Sequence, residues 1–131
     1  MLEKSIPLIP VSIGEIVDKI SILKIKYKKI TDIAKLKNVD IELQELKLKF
    51  EDLGAFDQIE TEIKNLDIVN EQLWKIEDDI REKEKKKEFD DDFIKLARSV
   101  YQINDKRALY KKEINLKTGS LLIEEKSYSN Y

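Results

Sequence analysis

"LKNVDIELQELKLKFEDLG", residues 36–54, decides the architecture. Its apolar residues Leu36, Val39, Leu43, Leu46, Phe50 and Leu53 are 3, 4, 3, 4 and 3 positions apart. Residues three and four apart share one face of a helix, so the stretch predicts a helix with a single heptad seam. Gly54 follows directly and suits the left-handed position that ends such a helix.

Working outward, "SIGE" at Ser12–Glu15 has the form of a capping box and predicts a helix start. Ile13, Ile16, Val17, Ile20, Leu23, Tyr27 and Ile30 then make one face, and Ile22 and Ile25 widen it. Helix one is therefore expected to be covered on more than one side, which makes a homodimer one expectation. Pro10 disfavours helix at Ile9, so residues 1–11 read as an extended arm. A turn falls near Asp32. Helix three runs from near Asp57 to about Lys87, with the seam Ile59, Ile63, Leu66, Asn70, Leu73, Glu77 and Ile80. "REKEKKKEFDDD" connects it to helix four, where Asp90, Asp91 and Asp92 each suit the positive helix end. Helix four carries Phe93, Leu96, Val100, Ile103, Arg107, Tyr110 and Ile114, and Gly119 stops it. Leu121, Leu122 and Ile123 of the tail are expected to dock on the bundle. The prediction is an all-α fold in one domain over residues 1–131. It has an extended arm (1–11), an antiparallel bundle of about four long helices with coiled-coil-like hairpins (12–119), and a C-terminal tail (120–131).

Composition narrows the chemistry. Of 131 residues, 40% are charged, against roughly 25% in ordinary globular chains. The chain has no Cys and no His, which excludes disulfides, thiolate metal sites and serine–histidine or cysteine–histidine catalysis. Acid–base work would fall to Asp, Glu, Lys or Tyr, and a metal held by side chains would meet oxygen ligands. The N-terminus lacks the pattern of a secretory signal, and no stretch reaches the roughly 20 apolar residues of a membrane span. A soluble cytoplasmic protein is expected. A net charge of −2 gives no field favouring nucleic acid.

The polar residues of the helices are the informative part. "LARSVYQINDKR", residues 96–107, places Arg107 on the seam and sets Arg98, Tyr101 and Asp105 along a neighbouring face. Folding helix three back on helix four about residue 88 brings Asn70 near Lys106 and Arg107, and Glu77 near Arg98 to Val100. This polar set supports three readings: a buried network that fixes register, a pocket for an anion such as phosphate or carboxylate, or a surface that recognises a partner. Glu77 and Asp78, with Glu15 and Asp18, would supply the oxygen ligands a Mg²⁺ ion needs; all-helical nucleotide pyrophosphohydrolases use carboxylates in this way. Against that, Glu77/Arg81, Asp79/Lys83 and Glu82/Lys86 are four apart, as in ordinary solvated ion pairs.

"VSIGEIVDKISILKIKYKKI", "LWKIEDDIREKE", "FIKLARSVYQINDKRALYKKEIN" and "GSLLIEEKSY" together resemble the successive motifs of a family of small, all-helical bacterial proteins classed as a domain of unknown function. The resemblance runs from Val11 to Tyr128 and is weakest over residues 38–68. It implies a helical cytoplasmic protein, associated with surface-polysaccharide and glycosyltransferase gene settings. The positions on its motifs are Glu15, Asp18, Lys19, Trp74, Asp78, Arg81, Arg98, Tyr101, Asn104, Asp105, Arg107, Glu124, Glu125, Lys126 and Tyr128. A second likeness, to the helical chorismate mutases, lacks that family's arginines on the first helix, where Lys24 to Lys29 stand. The expected function is a binding module whose polar cleft takes a small anionic ligand or a protein partner. The alternative is a Mg²⁺-dependent hydrolase of a nucleotide or sugar phosphate; a metal cofactor enters only there.

Overall fold

The computed structural model describes residues 5–54 and 57–131. It contains four helices and, among the described residues, no strand: α1 (Ile13–Lys29), α2 (Ile33–Asp52), α3 (Glu60–Lys85) and α4 (Asp91–Thr118), with a 3₁₀ turn at Asp57–Ile59 before α3.

The helix ends follow from local chemistry. Ser12 Oγ accepts from Glu15 N–H at 3.1 Å, Asp32 Oδ1 from Lys35 N–H at 2.9 Å and Asp90 Oδ1 from Phe93 N–H at 3.0 Å, so each satisfies a donor that a helix start leaves open. Only half of the expected capping box forms. The Glu15 carboxylate turns away to Lys111 instead. Gly119, at φ 67°, ends α4 in the left-handed region as its sequence position implied. The α3–α4 turn does the same with Lys87, at φ 58°. Its N–H reaches Glu84 O at 3.1 Å and Glu88 N–H reaches Lys83 O at 3.0 Å, a Schellman closure without glycine. Lys83 Nζ bonds both Glu88 (3.2 Å) and Asp90 (2.9 Å), fastening the turn from outside.

α1, α3 and α4 pack against one another, while α2 approaches α1 alone among the helices. The core is correspondingly divided. Val17, Ile59, Leu66, Val69 and Ile114 form one buried cluster, and Phe50 reaches it from the last turn of α2. Leu23, Val39 and Leu43 form the second, flanked by Ile20, Ile30 and Leu46. The α2-facing side of α1 is thus Ile20, Leu23 and Ile30, while Ile22 lines a groove with α3 and α4. Partners on α3 and α4 descend in number on one helix as they ascend on the other: Glu62 with Lys117, then Lys83 with Asp90.

Several seam positions depart from expectation. Tyr27 and Leu53 are exposed. Glu77 is exposed and pairs with Arg81 at 3.4 Å. Asp79 pairs with Lys75 rather than Lys83. The tail does not dock through its apolar triplet, since Leu121 is 95% exposed. Polar contacts hold it along α4: Ser120 Oγ accepts from Ile13 N–H at 3.1 Å, and Glu124 and Glu125 meet Lys111 and Lys112. No helix among the described residues is long and apolar enough to cross a membrane.

Candidate functional site

Asp18 is the centre of the interior. It lies one turn beyond Glu15 on α1, so both carboxylates point toward α4. Its side chain is almost fully enclosed. Oδ1 accepts from Arg107 Nε at 2.9 Å and from Asn70 Nδ2 at 3.0 Å, and Oδ2 accepts from Arg107 Nη2 at 2.5 Å. Asn70 Nδ2 also donates to Ser21 Oγ at 3.0 Å. Asn70 and Arg107 therefore meet at one carboxylate, as the folding-back register required.

Lys111, one turn beyond Arg107, extends the network. Its buried Nζ donates to Glu15 at 2.7 Å and to Glu124 of the tail at 3.0 Å, and stands 3.9 Å from Asp18. Burial works against its charge, but the bonds to Glu15 and Glu124 outweigh it and hold the ammonium above its ordinary pKa. The hydrogen bonds to Asp18 likewise raise the Arg107 pKa. The helices can approach this closely because position 14 is glycine: Gly14 N–H donates to the buried Asn115 Oδ1 at 2.6 Å. A second pair joins α3 to α4 lower down, where the exposed Lys117 hydrogen-bonds the buried Glu62 and holds its carboxyl below the usual value.

Beside this network a groove of about 480 Å³ opens between α1, α3 and α4. Trp74, Glu77, Asp78 and Arg81 line it from α3, with Asn104 and Arg107 from α4, and Ile22, Leu73 and Asn70 complete its wall. Asp18 fixes the guanidinium of Arg107 through Nε and Nη2. Among the described residues Nη1 meets only Asn104 Oδ1, at a long 3.5 Å.

The positions named from the sequence thus divide. Glu15, Asp18, Arg107 and Glu124 join in the buried network, while Trp74, Asp78, Arg81 and Asn104 share the groove with Arg107. Lys19 is exposed elsewhere on α1. Arg98 and Tyr101 also face solvent and do not line the groove beside Arg107. Tyr101 stacks edge-on against Tyr131, with ring centroids 4.9 Å apart, and Asp105 accepts the Tyr131 hydroxyl, whose pKa it raises. Lys126 lies over the Tyr128 ring, 5.6 Å from its centroid. Sequence reasoning missed Lys111, Asn115, Ser21 and Glu62. Lys111 and Asn115 continue the steps of four from Arg107 along α4, and that polar stripe was the available signal. Among the described residues no three carboxylates gather closely enough to hold a metal ion.

Fold and site together define an all-α protein that builds a buried ionic network into its helix packing and opens a polar groove beside it. The chain belongs to a family of unknown function, DUF6165, whose model matches residues 8–131. No curated protein and no solved structure matches it.

Proposed function

We propose that the protein is a non-catalytic binding module whose groove takes a small, anionic, hydroxyl-bearing ligand such as a sugar phosphate. The observation that carries this reading is the convergence of Trp74, Asp78, Arg81, Asn104 and Arg107 on one groove. Each supplies a distinct function. Trp74 offers a flat apolar face to a ring. Asp78 is exposed and has no ion pair among the described residues, so it is free to accept ligand hydroxyls. Arg107 is oriented in advance by Asp18 and has Nη1, held by a long bond to Asn104, turned to an anionic group, with the Arg81–Glu77 pair on the rim beside it. The expected surface-polysaccharide setting agrees with such a ligand. The hydrolase alternative draws little from the carboxylates: Glu15 is engaged by Lys111, Asp18 by Arg107 and Glu77 by Arg81, which leaves Asp78 alone, and a divalent cation needs more than one such ligand.

Thermal unfolding against glucose 1-phosphate, glucose and inorganic phosphate, each with and without Mg²⁺, tests the proposal. Glucose 1-phosphate at about 100 times its dissociation constant should stabilise the protein by roughly 2.7 kcal/mol. The shift should not need Mg²⁺, and should vanish in Trp74→Ala and in Arg81→Gln, two groove changes outside the buried network. A shift that appears only with Mg²⁺ and is lost in Asp78→Asn would favour the hydrolase. No shift with any sugar phosphate at millimolar concentration would refute the reading.

A further inference from the structure

The outer face of α2 meets no other helix among the described residues. Ile33, Ile41 and Leu48 are 85%, 55% and 55% exposed. They recur after eight and seven residues, two helical turns each, and so form one stripe. Val39 and Leu43, on the other side of the helix, are buried against α1. α2 is therefore apolar on two sides and covered on one.

We infer that this stripe is the interface of a symmetric homodimer in which α2 packs antiparallel on α2 of a second copy, with the two-fold axis beside Ile41. Two observations select a second copy. The first is self-complementarity, which a two-fold interface requires. Ile33 and Leu48 lie almost equally far from Ile41 on either side, so each meets the other across the axis. Lys37 and Glu45 lie four residues to either side, so opposite charges face each other as well. The second is area. The chain exposes 9759 Å², whereas a compact protein of 15.4 kDa exposes about 7,200 Å². The excess is about 2,600 Å² over the whole chain, and the exposed Ile33, Ile41 and Leu48 are part of that surface. A standard interface removes about 800 Å² from each partner, well within it. No α2 residue lines the groove, so dimerisation and ligand binding are separable.

Sedimentation equilibrium of the full chain should give twice the mass of one chain. Ile41→Glu sets two like charges against each other at the axis and should weaken the dimer by roughly a hundredfold or more. Ile41 is exposed within the chain, so helicity and unfolding temperature at low concentration should stay as in the parent. The chain has no cysteine, which allows a second readout. Under mild oxidation Ile41→Cys should cross-link to itself far faster than Ile68→Cys, an exposed control on α3. A single-chain mass up to hundreds of micromolar overturns the inference. So does a dimer that survives Ile41→Glu, or equal cross-linking at positions 41 and 68.

Discussion

α1 meets its neighbours in two chemically different ways. Toward α2 it presents Leu23, Ile20 and Ile30 to Val39, Leu43 and Leu46, an aliphatic contact. Toward α3 and α4 it presents Val17 together with Glu15, Asp18 and Ser21, and receives Asn70, Arg107 and Lys111. Aliphatic contacts are non-directional: they set how close two helices lie and say little about how far one has slid along the other. A carboxylate that accepts three defined hydrogen bonds permits one register. The polar interface therefore specifies how α1, α3 and α4 align, and with it the shape of the groove. The aliphatic interface contributes burial.

The largest expected effect lies at Arg107. Arg107→Met would leave the Asp18 carboxylate buried with Asn70 and, 3.9 Å away, Lys111. Breaking a buried pair from one side costs about 3–5 kcal/mol, a large part of the roughly 5–15 kcal/mol that holds a domain together. Replacing both Asp18 and Arg107 by leucine removes the stranded charge and should recover most of that loss. Urea unfolding of the two variants decides the matter. Equal instability in both would mean that Asp18 is not the centre of this interface.

Leu43→Ala probes the aliphatic side and should cost about 2–3 kcal/mol, toward the lower end for a buried leucine because α2, packed chiefly on α1, can settle into the space. Amide exchange sharpens the contrast. Protection should fall in α2 and persist in α4 if the two interfaces open separately. A uniform loss across all four helices would show a single cooperative unit and dissolve the distinction.

Much of this division was legible in the sequence, for physical reasons. Helix number and bounds follow from heptad spacing and capping residues, and Asn70 and Arg107 announced themselves as polar residues on apolar seams. Glu77 looked the same but is exposed, because periodicity gives a face and not how far along the helix the core extends. Lys111 and Glu62 escaped notice for the opposite reason: they lie beside the seam, and a lysine or glutamate there is ordinarily solvated. The tail misled because three consecutive apolar residues predict docking. Here Ser120, Glu124 and Glu125 hold the tail through polar contacts that depend on where α1 and α4 already stand.

Gly14 is the smallest lever on the polar interface. An alanine there would ordinarily strengthen a helix, by up to about 1 kcal/mol. The added Cβ would stand 2.5 Å from the Lys111 carbonyl oxygen and 2.9 Å from Asn115 Oδ1. The first of these belongs to the backbone of α4 and cannot rotate away. The helices must separate, lengthening the Gly14–Asn115 hydrogen bond and drawing Lys111 from Glu15. Overpacking of this kind costs about 1–3 kcal/mol, so Gly14→Ala should be destabilising by about 1–2 kcal/mol despite the helical gain. A fall of a few degrees in unfolding temperature is the expected result. A rise would mean that α1 and α4 do not approach so closely at this crossing, and that the register rests on Asp18 and Arg107 without it.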